Sequence, residues 1–442
     1  MKHRERRLSV VLVLGLAALT ARSAGAQPVT GDRPERPNRA LFGGGVGSTD
    51  HLLAFSANLG GGLDGVTFPA VEGAEQFERQ SSFANAAAGL DYGLTTRRVQ
   101  FGLGAGANTR HQPAIYDGLV SSYHSSATTR YAITTRTAFT GAASLAYQPL
   151  TVVSLFPDMF GPGAPAIPTD YEAGTIAQNY VSQAGALTLS QSLSRRTQLS
   201  GGYTFRRSGR SGDVPSQVYQ GMRVRLSHEL AQGLSARVGY GRGFGDFRRP
   251  GDTDRRVVNH TIDAGIDFAR ALSFSRATTF SFSTGSTIVS DSGVTRADIV
   301  GSATLAHELG RSWLTALTYN RQVGFVDVVA EPTFSDSVSA RLSGLVARRL
   351  GVHAGVGGSW GTIGLSGVTN DYDAFHATAG LTTALTRMMA IQFGYIYYRY
   401  RFDSIAHLPA TVGRGVDRQS VQVSLALWAP LFHRARSTDA AR

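Results

Sequence analysis

The stretch LTLSQSLSRRTQLSGGYTFRR, residues 187–207, contains two runs in which apolar and small polar residues alternate. The first run places leucines at Leu187, Leu189 and Leu193, and the second continues from Leu199 in the same rhythm. The polar tetrapeptide SRRT separates the two runs. Alternating runs on either side of a short polar turn predict a β-hairpin.

The second face of this hairpin decides the kind of fold. It carries Ser190, Ser200, Gly202 and Thr204, which are too small to fill a protein core and carry no charge for a solvated surface. In an outer-membrane barrel, apolar side chains face lipid and small polar side chains face the lumen. Because the bilayer core holds no water, only a closed sheet satisfies the backbone there. The leucines of this hairpin are therefore expected to face lipid.

The same alternation recurs along the chain and predicts about eighteen strands. They are expected near residues 50–61, 82–94, 98–110, 134–147, 150–156, 177–193, 197–207, 216–230, 233–246, 256–269, 272–288, 294–308, 312–325, 335–347, 351–364, 372–386, 388–402 and 416–430. Tight connections are expected at 95–98, 148–149, 194–197, 231–233, 348–351 and 386–388, and longer loops at 62–81, 111–133, 157–176, 208–215, 247–255 and 403–415.

This regular exchange of short and long connections favours a membrane barrel over a secreted soluble propeller or sandwich. Short periplasmic turns and longer external loops are typical of outer-membrane barrels, and soluble sheets have strands of about five or six residues. The fold class expected is all-β, a single transmembrane antiparallel up-and-down barrel of 16–18 strands with both termini periplasmic. At this strand number the lumen is too wide for side chains to fill.

The ends of the chain suggest four segments. A basic start, a short apolar core and small residues ending at Ala26 are typical of a signal peptide over residues 1–26. An N-terminal periplasmic arm is expected over 27–49, the barrel over 50–432 and a C-terminal tail over 433–442. The chain has 442 residues and no cysteine, so disulfides and cysteine-ligated metals are excluded.

Three stretches carry a resemblance to a known group: LSQSLSRRTQLSGGYTF, LSHELAQGLSARVGYGRGF and the late SVQVSLALW. With the pattern around them, over about residues 50–432, the chain resembles the β-barrel porins of Gram-negative outer membranes, a loosely defined group. The resemblance implies passive diffusion of small solutes or export of a polymer such as polysaccharide. It also implies outer-membrane lipids and the assembly machinery as partners. Such porins often end on a Phe, whereas ten residues follow Phe432 here.

Charged side chains at lumen-facing positions form the first candidate site. Strand parity points Arg223, Arg225 and Arg237 into the lumen, with Asp263 and Asp267 near them. A turn centred on Ala231 places Arg225 directly opposite Arg237, which is unfavourable unless something compensates. These groups are consistent with an anion-favouring constriction or with a salt-bridge ladder that stiffens the wall.

Further lumen-facing arginines are Arg206, Arg341 and Arg418, followed by Arg110, Arg136 and Arg296. The acidic side chains expected on the same face are Asp91, Asp263, Asp267, Asp298 and Glu308. Because the arginines outnumber the carboxylates, we expect a weak anion preference, with Arg225 and Arg237 contributing most.

A second group of arginines gathers at the external ends of the strands. The candidates for contact with lipopolysaccharide are Arg207, Arg210, Arg248, Arg249, Arg399 and Arg401, since guanidinium groups suit phosphates. An ordinary solvated rim is equally consistent with this pattern.

Signals for other chemistry are weak. HELAQ and HELGR lack the second histidine of a zinc HExxH motif, because Gln232 and Arg311 stand there. The chain is therefore not expected to be an enzyme, and no metal, cofactor or catalytic residue is predicted. The pI of about 10.2 comes from dispersed arginines and not from a basic helix, so nucleic-acid binding is not expected. Residues 27–50 are too few for a plug domain.

The function expected from the sequence is a diffusion channel for small solutes. A barrel for polymer export and a non-conducting surface or adhesion barrel remain alternatives. The loop 157–174, with four prolines and three glycines, is expected to fold over the lumen and narrow it.

Overall fold

The structure is a computed structural model. It describes residue 42 and residues 49–68, 77–113, 116–149, 179–209, 216–248, 255–272, 275–291, 294–310, 312–325, 332–365, 370–403 and 415–435.

The described residues form β-strands joined by turns and loops. The strands are β1 (Thr49–Phe68), β2 (Phe77–Thr95), β3 (Val99–Gln112), β4 (Tyr116–Ala132), β5 (Thr137–Pro149), β6 (Asn179–Ser192), β7 (Thr197–Gly209), β8 (Ser216–Ala231), β9 (Leu234–Arg248), β10 (Arg255–Ile262), β11 (Gly265–Leu272), β12 (Ser275–Asp291), β13 (Val294–Leu309), β14 (Trp313–Phe325), β15 (Pro332–Ala347), β16 (Leu350–Ile363), β17 (Asn370–Ala384), β18 (Met389–Phe402) and β19 (Gly415–Ala435).

The strands close into one antiparallel barrel. Consecutive strands pair in sequence order, and β19 returns to pair with β1 along nearly its whole length. β10 and β11 both pair with β9 on one side and with β12 on the other, so they occupy one position in the wall. The barrel thus has 18 strand positions, which confirms the all-β barrel and its strand number.

The two ends of the barrel differ in their connections. At the turn end, short links such as residues 96–98, 193–196 and 348–349 join the strands, and the barrel begins and finishes at this end with β1 and β19. At the loop end lie the connections between β5 and β6 and between β18 and β19, which span 150–178 and 403–414. The sorting expected from the sequence is present in part, because the loop-end connections between β3 and β4 and between β12 and β13 span only 113–115 and 292–293.

Four sequence expectations about the strands are wrong. Most of the expected loop 62–81 belongs to β1 and β2, and the expected strand 256–269 is interrupted between Ile262 and Gly265. The expected loop 111–133 is mostly β4, which pairs with both β3 and β5. The expected turn at 148–149 lies inside β5, where Pro149 pairs with Asn179. Its proline is the last residue of the strand, so the missing N–H does not interrupt the middle of the ladder. The expected strand 150–156 lies outside the described residues.

The outer surface of the barrel is apolar. Leu187 and Leu189 are 47% and 49% exposed, and Met222 is 68% exposed. A belt of exposed aliphatic and aromatic side chains around a closed sheet is the surface that a bilayer requires. No helix in the described part of the chain is long and apolar enough to cross a membrane.

β1 and β19 join with two irregularities near the turn end, the first between Thr49 and His51 and the second between Leu53 and Ala54. Leu53 pairs with Phe432 but Ala54 pairs with Pro430, so Leu431 is an extra residue in β19. A bulge accommodates the missing N–H of the proline and changes which face the following residues occupy. Phe432 is 53% exposed beyond the bulge, and the strand continues to Ala435.

Candidate functional site

The arginine and aspartate side chains of β8 to β11 form one ion-pair cluster on the lumen face. Asp263 forms ion pairs with both Arg225 and Arg237, and Arg237 also pairs with Asp267. The side chains of Arg237 and Asp263 are only 6% and 5% exposed, whereas Arg225 and Asp267 are 34% and 37% exposed. The cluster therefore has a buried centre and a partly solvated edge.

The side chain of Arg237, a residue of β9, lies at the interruption between β10 and β11. The pairing with β12 shifts there, from Ile262 opposite Ser286 to Asp267 opposite Ser283. Such a shift removes ladder partners from nearby backbone groups. Arg237 donates through Nη2 to the carbonyl oxygen of Thr284 at this point. Its guanidinium thus satisfies the broken ladder as well as two carboxylates.

The prediction that Arg225 stands directly opposite Arg237 is wrong. Arg225 pairs with Gly239, and Arg237 pairs with Ser227, one diagonal step away. The reason is the turn itself, which is formed by Gln232 and Gly233, with Gly233 at φ 77° and a bulge between Glu229 and Ala231. Because the shift is two residues, both arginines keep the same face. Asp263 between them already offsets their repulsion.

Arg223 lines an open cavity of about 290 Å³ in the lumen wall, together with Arg225. It lies between the lipid-facing Met222 and Val224, which are 68% and 57% exposed. In the described part of the chain Arg223 forms no ion pair. It is the cluster member with a charge open to a solute.

Gly221, Gly243 and Tyr219 form part of the lining of the cavity beside Arg223. A Cβ at Gly243 would lie 2.9 Å from Cζ of Tyr219, and one at Gly221 would lie 3.3 Å from the Tyr219 hydroxyl. The ring of Tyr219 can therefore lie against the wall only because both positions are glycine. Hydroxyls of Thr204 and Thr261 complete the lining. The cavity therefore offers the Arg223 cation beside the ion-paired Arg225, with hydroxyl groups and an aromatic surface.

A second buried cluster, missed by the sequence analysis, lies at the seam between the first and last strands. Asp64 accepts hydrogen bonds from Nε of Arg418 at 2.9 Å, from Nη2 of Arg110 at 3.2 Å and from Nε2 of Gln112 at 2.9 Å. The Asp64 side chain is fully buried, and both arginines are 2% exposed. The Arg110 guanidinium also stacks on Phe83 at 3.7 Å.

The remaining lumen candidates are dispersed. Arg296 pairs with Asp298 at 3.3 Å, while Arg341 stands opposite Gly355 on β15. Arg136 lies in the turn after β4 and not on a strand. In its place β4 supplies Arg130, opposite Gln100 of β3. Arg206 is exposed on β7.

The carboxylates on the lumen face are also more numerous than expected. β1 extends beyond the expected 50–61, which adds Asp64, and Glu229 of β8 shares the face of Arg225, although the sequence analysis did not count it there. The excess of cations over carboxylates is therefore smaller than the sequence suggested.

The rim candidates are only partly described. Arg207 is exposed near the loop end of β7, and Arg399 and Arg401 lie near the loop end of β18. Arg399 approaches Asp373 at 3.8 Å, a distance typical of a weak surface pair. Arg210 and Arg249 lie outside the described residues, as does the loop 157–174, and the side chain of Arg248 is not described.

The histidines of the two HEL motifs, His228 and His307, lie on the lipid face near the turn end. His228 bonds to Thr197 at 2.9 Å and His307 to Thr278 at 2.6 Å, each across a strand pair. Among the described residues no group of three His, Asp or Glu side chains could hold a metal ion. These histidines therefore anchor strands to one another.

These features together define the location of the chain. An 18-position closed antiparallel sheet, an apolar belt outside and ion pairs inside are the architecture of an outer-membrane protein. The chain is an integral outer-membrane β-barrel.

Comparisons with known proteins agree with this architecture but add no argument. No protein-family model matches the chain, and no curated protein matches it. Among solved structures, Pseudomonas aeruginosa OpdQ is similar at 12% identity and a TM-score of 0.43, over 86% of this chain and 98% of that one. Pseudomonas aeruginosa OpdL is similar at 13% identity and a TM-score of 0.43, over 87% of this chain and 99% of that one. Acinetobacter baumannii OccAB4 is similar at 10% identity and a TM-score of 0.42, over 86% of this chain and 98% of that one. At these values the interpretation rests on the barrel's own residues.

Proposed function

We propose that the barrel is a channel for passive diffusion of small solutes, with a weak anion preference. The observation that carries the proposal is the open, polar cavity beside Arg223 on the lumen face of a closed barrel with 18 strand positions. A barrel of this size encloses more space than wall side chains fill. A solute path through it needs no moving domain.

The loop end of the lumen favours small solutes over a polymer. Tyr398, Tyr400 and Phe402 of β18 are at most 4% exposed, and they lie on the face opposite the exposed Phe393 and Tyr395. Large side chains that are withdrawn from solvent on the inner face reduce the free cross-section there. This supports diffusion of small molecules and speaks against export of a bulky polysaccharide.

The anion preference is assigned to Arg223 and not to Arg225 or Arg237. The latter two have Asp263 and Asp267 as partners, so their charges are largely offset. Arg223 keeps its charge on an open wall, where a single sign concentrates counter-ions. Since the other lumen charges are mostly paired, the preference is weak.

The test is the reversal potential of the reconstituted protein in a salt gradient across a planar bilayer. We expect the wild type to favour the anion and Arg223→Ser to shift the reversal potential towards zero. Arg270→Ser is the matched control, because Arg270 is exposed on the outer face of β11, which it shares with the 45% exposed Ile266, and it does not line the cavity. It removes the same charge outside the lumen, so selectivity should stay unchanged.

Two outcomes would count against the proposal. A wild type that favours cations, or an equal shift in both variants, would remove Arg223 from selectivity. Absence of channel events from correctly assembled protein at any voltage would favour the surface or adhesion alternative.

We also propose that the loop-end arginines contact phosphates of lipopolysaccharide. Arg207, Arg399 and Arg401 lie at the strand ends where the apolar belt stops, and guanidinium groups bind phosphate oxygens in pairs. Binding of purified lipopolysaccharide by the detergent-solubilised protein should weaken when the three are replaced by Gln. Unchanged binding would indicate an ordinary solvated rim.

A further inference from the structure

The loop end of β15 is buried on both faces. Pro332, Thr333, Phe334 and Ser335 are all buried, although side chains alternate between the two faces of a strand. A strand in a barrel wall exposes one face to lipid or solvent. This end of β15 has therefore left the wall and lies inside the barrel.

Phe334 shows which way the strand has moved. By pairing it shares a face with Val323 of β14 and Thr362 of β16, and that is the outer face of the sheet. Yet Phe334 packs with Phe247, Val257 and Val289. Those three stand on the inner face of β9, β10 and β12, so the outer face of the β14–β15 end lies against the inner face of the neighbouring wall.

An ion pair also joins a residue of the outer face of the sheet to a residue of the inner face. Arg321 is paired with Gly301 and shares the outer face with Tyr319, which is 38% exposed. Asp298 is on the inner face, next to Ile299, which is 70% exposed outside. Arg321 nonetheless donates to Oδ1 of Asp298 at 2.7 Å.

Arg296 repeats this arrangement one step along β13. Its guanidinium lies 3.7 Å from the ring centroid of Phe334. An inner-face arginine can stack on an outer-face phenylalanine only while the β14–β15 end is folded inward. The two contacts therefore belong to the inward position alone.

The backbone ladder records the same displacement. β13 and β14 pair from Leu309 opposite Trp313 to Gly301 opposite Arg321, and the pairing stops there. Beyond this point residues 294–300 still pair with β12, and residues 322–325 still pair with β15. Within the described strands these two edges are not paired with each other.

We propose that the loop ends of β14 and β15 form a gate that moves between this inward position and a zipped position in the wall. The proposal rests on the channel function proposed above. In the zipped position the β13–β14 ladder continues in its existing register. The inward position narrows the lumen, and the zipped position opens it.

The sequence fits the zipped position as well as the inward one. Continued pairing sets Ile299 opposite Val323 and Ala297 opposite Phe325 on the outer face, which are apolar pairs suited to that side. It sets Asp298 opposite Gly324 on the inner face. Zipping gains ladder hydrogen bonds but breaks the Arg321–Asp298 pair and the Arg296–Phe334 contact, because their members return to opposite faces. Two competing sets of contacts are what a two-position element requires.

Disulfide trapping tests the two positions directly, since the chain has no cysteine of its own. The double variant Ile299→Cys with Val323→Cys can form a disulfide only when the strands zip, since directly opposite Cβ atoms then lie about 4.5–5.5 Å apart. The matched control is Ala303→Cys with Tyr319→Cys, an outer-face pair of the same type in the part already zipped.

We expect the control pair to oxidise at once in native outer membranes and the gate pair to oxidise slowly. Adding Asp298→Asn should speed oxidation of the gate pair on the order of tenfold, because the inward position loses its ion pair. In planar bilayers the oxidised gate pair should conduct more than the reduced one, and a reductant should reverse the gain.

Failure of the gate pair to oxidise in both backgrounds, while the control pair oxidises, would overturn the proposal. Oxidation without a change in conductance would show that the movement does not control the pore. The trapping result does not depend on conductance, so it separates failure of the gate from failure of the channel function. Heat-dependent gel migration checks that each variant is a folded barrel.

Discussion

At the scale of single residues, Arg237 illustrates how a lumen arginine can be part of the wall. Its guanidinium joins two carboxylates and the carbonyl oxygen of Thr284, with only 6% of the side chain exposed. Breaking a buried ion pair by removing one partner leaves the other charge uncompensated. The residue therefore stabilises the interruption between β10 and β11 and does not select solutes.

Arg237→Ser should destabilise the barrel by about 3–5 kcal/mol, as expected when a buried charge loses its partner. The measurement is urea unfolding of the protein in lipid vesicles, followed by gel migration without heating. Arg256→Ser is the control, because its pair with Asp246 is 66% and 41% exposed and should matter little. Equal stability of the two variants would contradict the structural role.

The sequence predicted the faces of these residues but not their partners. Parity alone places Arg223, Arg225 and Arg237 towards the lumen, and the structure agrees. The register depends on the turn at Gln232 and Gly233 and on the bulge beside it, which alternation cannot reveal. For the same reason Asp64 was missed, because the expected first strand stopped at residue 61, seven residues short of Phe68.

At the scale of elements, the apolar alternation predicted most strands and failed where the outer face is polar. β4 places Ser121, Ser125 and Thr129 on the outer face together with Tyr123 and Tyr131, so its sequence resembles a polar loop. The inward β14–β15 end could not be predicted at all, since its sequence alternates like any wall strand. Its position depends on contacts with β9, β12 and β13, which are distant in the chain.

The β8–β9 hairpin depends on Gly233, and this gives a prediction at the same scale. A Cβ there would lie 2.6 Å from the carbonyl oxygen of Ala269, at a φ of 77°. Gly310 has φ 64° but nothing within 4 Å of a built Cβ. Gly310→Ala should cost about 1–2 kcal/mol for the left-handed backbone alone, and Gly233→Ala should cost more. Unfolding midpoints in urea compare the two, and equal costs would show that the Ala269 contact is harmless.

At the scale of the whole molecule, the barrel is closed by an ionic seam as well as by a ladder. Asp64 of β1 binds Arg418 of β19 and Arg110 of β3, so one carboxylate links its own strand to two others. All three side chains are buried, which makes their contacts sensitive to the loss of one member.

Asp64→Ala should lower the temperature at which the barrel loses its compact gel migration, because it leaves Arg110 and Arg418 with less negative charge nearby. Asp91→Ala on β2 is the control, since Asp91 is exposed on the same face and in the described structure forms no ion pair. Expression, membrane insertion and migration temperature should be followed together. If both variants melt alike, closure depends on the ladder alone.

The seam also determines when the barrel can close. Asp64 and Arg418 are separated by 354 positions, so the first strand must wait for nearly the whole polypeptide before its partner exists. Until then β1 and the last strand already in place both present open edges, and open edges recruit other chains. A polypeptide that stops before β19 keeps these edges and an unsatisfied carboxylate. Completion of synthesis is thus a physical condition for leaving the aggregation-prone state, and truncated copies keep the edges that pair with other chains.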